Sequence, residues 1–117
     1  MKFVFDNDRP IYIQLVEQLK IYIISNKLVP GSKIPSVRDL AITSKVNPNT
    51  VQKALQELEN ESLIYTERTN GKFVTNDVDL IQKLKNKLVK DKIDVLINEM
   101  KQIGITKAEL LEYLRGE

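Results

Sequence analysis

The sequence has no cysteine and no histidine among its 117 residues. Without cysteine the chain cannot form disulfides, thiolate nucleophiles or iron–sulfur clusters, and without histidine it lacks the commonest metal ligand and general base. No apolar run approaches the ~18 residues that a membrane span needs, and the N-terminus lacks the basic-then-apolar layout of a signal peptide. These absences disfavour an enzyme, a metal or cofactor site and a membrane protein, and they predict a cytoplasmic location.

The residues that are present suffice for a folded core and place a small positive charge locally. At 117 residues the chain is long enough for one domain or a small domain with an appendage, and at 42% apolar it can bury a core. The net charge of +2 comes entirely from residues 1–76, since residues 77–117 carry eight basic and eight acidic side chains. Residues 30–56 alone carry +3, which fits a local phosphate-binding face. The charges in that segment are Lys33, Arg38, Lys45 and Lys53 against Asp39.

Two helix-start signals close together predict a helix-turn-helix. Ser36 and Asp39 form a capping-box pattern that predicts a helix over about residues 36–44. Asn47 is the expected N-cap of a second helix, and Pro48 suits its first position because the missing N–H costs nothing there. This second helix is expected to run to about Glu61.

The second helix has a polar start and an apolar back. Polar side chains able to hydrogen-bond fill its first turns, while apolar residues fall on another face; this is what reading base edges in a major groove requires. The polar residues are Asn49, Thr50, Gln52 and Lys53, and the apolar ones are Val51, Ala54, Leu55 and Leu58.

The flanking segments predict a winged helix. Apolar residues at helical spacing predict a first helix from Pro10 to about Asn26. After the helix-turn-helix, residues 63–67 and 73–75 are β-like, and the turn-like residues 68–72 between them contain Asn-Gly, a strong hairpin signal. Three helices followed by a hairpin is the winged-helix arrangement, with the hairpin as the wing.

Beyond residue 77 the pattern is helical throughout. Residues 79–103 contain neither glycine nor proline and predict one long amphipathic helix, or two in register. Gly104 ends it, and a capping box from Thr106 to Glu109 predicts a short helix ending near Arg115. Because about 37 residues of helical hairpin are too few for a core, the stripe must pack within its own chain or on a second copy, and we favour a homodimer. The predicted interface is Ile81, Leu84, Leu88, Ile93, Leu96 and Met100.

The order of these motifs resembles the GntR family of bacterial transcription regulators, specifically its short YtrA-like branch. The resemblance covers roughly residues 10–75, and the remaining residues are too few for the large effector domains of most members. The matching segments are Pro10-Ile-Tyr-Ile-Gln-Leu15, Pro30-Gly-Ser-Lys-Ile-Pro-Ser-Val-Arg-Asp-Leu-Ala41, Val46-Asn-Pro-Asn-Thr-Val-Gln-Lys-Ala-Leu-Gln-Glu-Leu-Glu59, Leu63-Ile64 and Gly71-Lys-Phe-Val74.

The resemblance implies a sequence-specific regulator in which Arg38 and the start of the second helix approach DNA and the wing tip enters the minor groove. Four positions depart from the family pattern. Many members carry arginine where this chain has Pro48 and Gln52, so a bidentate arginine–guanine contact is unavailable there. Thr69 replaces one of the usual paired wing glycines, and Ser62 replaces a glycine that ends the helix.

These arguments predict a mainly α protein with a small β-hairpin, a winged helix-turn-helix in residues 1–76 and a helical dimerisation tail in residues 77–117. The expected partners are double-stranded DNA and a second copy; a small-molecule effector is left open, as is repression against activation, with repression favoured. Arg38 could instead pair with Asp39 or Glu57, and the alternative function is a protein-interaction module. The predicted DNA-binding residues are Lys33, Ser36, Arg38, Asn47, Asn49, Thr50, Gln52, Lys53, Arg68, Gly71 and Lys72.

Overall fold

The computed structural model of the chain describes residues 1–116. Within this range it has five helices and one two-stranded antiparallel sheet, which confirms the predicted architecture. One compact unit ends at Gln82 and a second begins at Lys83. The elements are α1 (Ile11–Ile24), α2 (Val37–Ser44), α3 (Pro48–Asn60), β1 (Ile64–Glu67), β2 (Gly71–Val74), α4 (Val78–Gln102) and α5 (Lys107–Arg115).

The core of the first unit lies among α1, α2, α3 and the hairpin. Every apolar side chain that is buried in the described part of the chain falls between Leu15 and Val74. Helix α3 contributes the stripe expected from its spacing, and α1 contributes residues one or two turns apart, as a helix with one buried face requires. The buried residues of these two helices include Leu15, Leu19, Ile23, Val51, Ala54, Leu55 and Leu58.

An N-terminal arm, residues 1–9, is fastened along α1 by side chains that the sequence pattern did not single out. Every fourth residue of α1 bonds to every second residue of the arm. The two spacings match because four residues advance about 6 Å along a helix and two residues advance about 6.6 Å along an extended chain. The buried Gln14 amide is fully satisfied by this arrangement, which orients the start of α1. The pairs of side chain and arm backbone are Tyr22 with Lys2, Gln18 with Val4, and Gln14 with Asp6.

The helix starts of the helix-turn-helix form as predicted, with one correction. The Asn47 side-chain oxygen accepts a hydrogen bond from the Asn49 N–H at 2.8 Å, and Pro48 is the first residue of α3. The Ser36 hydroxyl accepts one from the Asp39 N–H at 3.1 Å. The predicted return bond from Asp39 to the Ser36 N–H is not formed in residues 1–116, because aspartate is one methylene shorter than the glutamate of a full capping box.

The full capping box appears in α5. The Thr106 hydroxyl accepts a hydrogen bond from the Glu109 N–H, and the Glu109 carboxylate accepts one from the Thr106 N–H. This confirms the second predicted capping box, and here the glutamate side chain is long enough to reach back.

The wing is a hairpin with a three-residue loop. Strands β1 and β2 pair in register from Ile64 opposite Val74 to Glu67 opposite Gly71, so residues 68–70 make the loop. The hairpin predicted from Asn-Gly is confirmed, and within this loop and its flanks the positive φ, 103°, belongs to Gly71. The chain before α2 extends the sheet on the other side of β2, with an isolated bridge from Lys33 to Phe73. The wing is thereby tied to the entry of α2.

A cyclic polar contact braces the wing against α3. The Lys72 ammonium lies 2.9 Å from the Glu59 carboxylate and 2.8 Å from the Thr66 hydroxyl, which itself donates to Glu59 at 2.8 Å. The hydrogen bond from Lys72, and then that from Thr66, hold the pKa of Glu59 below its ordinary value. One carboxylate on α3 therefore fixes one side chain from each strand.

Three helices end at a left-handed residue that is not glycine. At such a position the Cβ crowds the following carbonyl, which costs an L-residue roughly 1–2 kcal/mol. For α3 the ending is a Schellman motif, in which the Ser62 N–H bonds to the Glu59 carbonyl and the Leu63 N–H bonds to the Leu58 carbonyl. Helix α3 therefore does not run on past residue 61, and Ser62 closes it in the left-handed conformation. The three residues are Asn26 (φ 66°), Lys45 (φ 58°) and Ser62 (φ 63°).

Helices α4 and α5 have no buried side chain within residues 1–116. Of the two alternatives left by the sequence, one long helix or two in register, the structure has the single helix α4, which ends at Gln102, with Gly104 at φ 84° closing it. The predicted dimer residues on α4 are all at least partly exposed, with Ile93 at 48% and Leu96 at 38%. The half-buried members of that set are Ile81, Leu84, Leu88 and Met100.

Replacing Ser62 with glycine should stabilise the fold. Ser62→Gly removes the Cβ from a left-handed position and is expected to raise the free energy of unfolding by about 1 kcal/mol, measured by urea denaturation. Ser25→Gly is the matched control, because Ser25 is an exposed helix-end serine with φ of −84°. An equal or smaller gain at residue 62 than at residue 25 would contradict the assignment of strain.

The contact of Lys72 and Thr66 with Glu59, called the wing brace below, should stabilise the fold in a pH-dependent way. Because the pKa of Glu59 is lower in the folded chain, its stabilising effect is complete above the ordinary value of 4.5 and is lost as pH falls through the folded pKa. Glu59→Gln should therefore lower the free energy of unfolding at about pH 7, by about 1 kcal/mol or less for a partly exposed pair, and by less near pH 3.

The control for this effect is Glu57→Gln, since Glu57 lies on the same helix and its side chain makes no hydrogen bond or ion pair in the described chain. Urea midpoints of the three proteins, compared at both pH values, measure the difference. A Glu59→Gln deficit that persists unchanged at the lower pH would contradict the role of the carboxylate charge.

Candidate nucleic-acid interface

The helix-turn-helix is held rigidly from behind. Lys45 closes α2 in the left-handed region, and the Val46 N–H bonds back to the Ala41 carbonyl, so the turn is fixed by backbone contacts. Leu40 of α2 and Leu55 of α3 are both buried, which sets the helices against the core. The face of α3 opposite its buried stripe is therefore presented at a fixed position.

The outward face of α3 is polar and accessible. Asn49, Gln52 and Lys53 are exposed and Thr50 is half-buried. Gln56, one turn beyond Gln52, shares this face, and its amide reaches Asn60; its four-residue spacing from Gln52 could have identified it from the sequence. Amide side chains at these positions can donate and accept hydrogen bonds at base edges.

Asn47 has a structural task that limits its part in binding. Its side-chain oxygen accepts the Asn49 N–H at 2.8 Å, so only its amide N–H groups remain for another partner. Ser36 is similarly engaged, because its hydroxyl oxygen caps α2. Both residues lie at helix N-termini, where free backbone N–H groups favour an anion such as a phosphate.

Positive charge on the helix-turn-helix is left unpaired. The four basic residues of segment 30–56 are all exposed, and no ion pair in residues 1–116 involves any of them. Arg38 is one of these, so its alternative pairing with Asp39 or Glu57 does not form. The four are Lys33, Arg38, Lys45 and Lys53.

Three carboxylates of the same unit pair with cations that lie outside the helix-turn-helix. Glu17 pairs with Arg9 at 2.8 Å, Glu61 pairs with Lys20 at 2.8 Å, and Glu59 pairs with Lys72. These pairs lie on the arm, on α1 and at the wing brace. Each of these three negative charges is therefore offset by a cation outside the helix-turn-helix, whose own cations form no ion pair in the described residues.

The wing and the entry to α2 border one cleft. Lys33, Ser36, Gly71 and Lys72 are brought together here around a volume of about 390 Å³, with Leu55 at its base. A Cβ on Gly71 would lie 3.2 Å from Lys33 Cε, a contact that the flexible lysine side chain can relieve, so it is the φ of 103° that favours glycine here. Lys72 is turned to Glu59, while Arg68 in the loop is exposed and makes no ion pair in the described residues.

Sequence reasoning missed two residues that act on this surface through distant contacts. Glu59 anchors the wing, and Tyr12 of α1 carries Lys53 on its ring face, with Nζ 4.4 Å from the ring centroid. Neither contact has a periodic signal, because each joins elements far apart in sequence. No group of residues suited to hold a metal ion is found in residues 1–116, and no described helix is long and apolar enough to cross a bilayer.

Comparisons with known proteins agree with this geometry. The family model of bacterial regulatory proteins of the gntR family matches residues 11–74. The chain is 37% identical to the HTH-type transcriptional regulator YhcF of Bacillus subtilis, over 95% of this chain and 92% of YhcF. It is 36% identical to the HTH-type transcriptional repressor YtrA of the same organism, over 91% and 82%.

Solved structures extend the likeness to three dimensions. A GntR family transcriptional regulator from Listeria monocytogenes superposes with a TM-score of 0.89 at 37% identity, covering 97% of this chain and 99% of the other. The DNA-binding domain of AraR, solved in complex with the operator ORX1, superposes with a TM-score of 0.59 at 28% identity, covering 64% and 96%.

The matched region spans the whole winged helix described above, from the first residue of α1 to the last residue of β2. The relatives also match along α4 and α5, as expected for the short branch. The chain belongs to the GntR family of bacterial transcription regulators.

Proposed function

We propose that this protein represses transcription by binding a palindromic DNA operator as a homodimer, with α3 in the major groove and the wing beside it. The observation that carries the proposal is the set of four exposed, unpaired cations on the helix-turn-helix. Free lysine and arginine side chains release counterions from DNA and supply affinity without sequence preference. Repression is supported by the likeness to YtrA, which is named a transcriptional repressor.

Sequence preference would come from the amides of α3. Lys53 is the one basic residue between Pro48 and Asn60, so α3 offers no arginine for a bidentate contact to guanine. Asn49 and Gln52 are exposed on its outward face and suit a bidentate contact to adenine. We therefore expect half-sites with adenine at the positions these amides face, while Arg38, Lys33 and Arg68 hold phosphates.

The homodimer is supported by the uncovered stripe on α4. A helix of 25 residues with no buried side chain leaves large apolar groups in water, and this is unfavourable by about 25 cal/mol per Å². A second copy related by two-fold symmetry supplies the same stripe in return. The two winged helices of the dimer would then bind DNA half-sites about 34 Å, or a multiple of that, apart.

Arg38 gives the direct test of DNA contact. Arg38→Ala should weaken operator binding by about tenfold, because a charged partner of the DNA is lost, and should leave the thermal melt unchanged. The operator would first be selected from a random-sequence DNA pool with purified protein, and affinity measured by fluorescence anisotropy. Arg9→Ala is the matched control, since Arg9 is also exposed but is paired with Glu17 before α1.

Equal affinities of the Arg38→Ala and wild-type proteins would remove Arg38 from the interface. Failure of the pool to yield any enriched site, together with weak and salt-insensitive binding to random DNA, would instead favour a protein-interaction module and overturn the proposed function.

The proposed dimer interface on α4 is tested by measuring the mass of the protein in solution. Leu96→Glu places a charge in the apolar stripe and should shift the sedimentation mass from dimer to monomer, since an unpaired charge is strongly disfavoured in an apolar interface. Leu88→Glu should act alike. The matched control is Asn98→Glu, which adds the same charge at an exposed position of α4 on the other side of the helix. A dimer mass in all three variants would refute the assigned interface.

A further inference from the structure

The one basic side chain of α3, Lys53, is held against an aromatic ring and not by a carboxylate. Lys53 is exposed on α3, and its ammonium lies over the ring of Tyr12, 4.4 Å from the centroid. Tyr12 stands in the first turn of α1 and is half-buried. Aromatic faces attract ammonium groups through the ring quadrupole at such distances.

A nearer partner by sequence is available and is not used. Glu57 lies four residues after Lys53 on α3, a spacing at which lysine and glutamate commonly pair. In the described residues Lys53 makes no ion pair, although Glu57 borders the same groove between α1 and α3 as Tyr12. The ammonium is therefore placed by the ring and not by the nearby carboxylate.

The choice of partner has a chemical consequence. A carboxylate accepts the ammonium hydrogen bonds and offsets the charge, as Glu59 does for Lys72. A ring face has no formal charge and leaves the N–H donors that point away from it free. Lys53 is thus restrained while it keeps both its charge and its donors, on the face it shares with Asn49 and Gln52.

We propose that Tyr12 is a positioning residue for DNA binding: its ring preorganises the Lys53 ammonium to bind a phosphate oxygen beside the groove that α3 enters. The inference rests on the proposed function and adds to it a residue of α1. Holding a flexible lysine in place before binding lowers the entropy lost when the complex forms, which is how preorganisation raises affinity.

The experiment measures binding of the full chain to a fluorescein-labelled DNA duplex of random sequence across a series of KCl concentrations. Lys53→Met should reduce the slope of log affinity against log salt concentration by about one for each winged helix bound to DNA. Tyr12→Leu should weaken binding about two- to fivefold, the range of an exposed cation–π contact, and Tyr12→Phe, which keeps the ring, should bind like the wild type. Tyr12→Met serves in place of Tyr12→Leu if that variant does not fold.

The double variant Tyr12→Leu with Lys53→Met separates positioning from a merely structural role. If Tyr12 acts through Lys53, the double variant binds no more weakly than Lys53→Met alone. An added loss in the double variant, or a loss in Tyr12→Phe equal to that in Tyr12→Leu, overturns the inference. A wild-type salt slope retained by Lys53→Met overturns it while leaving the proposed function intact, whereas no salt-dependent binding by the wild type overturns both.

Discussion

Burial of the apolar stripe of α3 is the constraint on which the orientation of its polar outward face depends. Val51, Ala54, Leu55 and Leu58 are each no more than 1% exposed. A helix whose one face is fixed this completely cannot rotate about its axis without exposing large side chains, at about 25 cal/mol for each Å². The direction in which Asn49, Gln52 and Lys53 point is therefore set by hydrophobic packing on the opposite side of the helix.

The second constraint is the distribution of charge over the winged helix. A net charge of +2 is too small to distinguish a DNA-binding protein from many others. The ion pairs make the difference, because Glu17, Glu59 and Glu61 are each bound to a cation outside the helix-turn-helix. Of the three, Glu59 lies on α3, so its pair with Lys72 offsets one negative charge there, within the Debye length of about 10 Å over which a phosphate experiences the local field.

Local features of this fold were predictable from sequence, and contacts between distant segments were not. The cap at Asn47, the proline at the start of α3 and the hairpin before Gly71 each follow from residues within one turn of one another. The brace from Lys72 to Glu59 joins residues 13 apart in sequence, and the ring contact of Lys53 joins α3 to α1. Lysine and glutamate occur on most surfaces, so only the fold reveals which of them meet.

The same distinction applies to α2, where the sequence predicted a reciprocal capping box and the structure forms half of one. The pattern was right about where the helix begins, because Ser36 needs only the N–H three residues on. It was wrong about the second bond, because that bond depends on the length of the side chain at residue 39. The capping pattern therefore predicts correctly the bond from a backbone N–H to the N-cap side chain. It fails for the return bond, which depends on the length of one side chain.

The C-terminal helices α4 and α5 differ from the winged helix in what would stabilise them. All buried apolar side chains of the described chain lie between Leu15 and Val74, so the winged helix contains its own core. Helix α4 instead leaves Ile93 and Leu96 partly in water, and its proposed partner is the same stripe of another copy. Under this proposal, a weakened tail would leave each head able to contact DNA, but would remove the gain in affinity from binding two half-sites at once. Occupancy of the operator would then depend on protein concentration through the tail and on base sequence through α3.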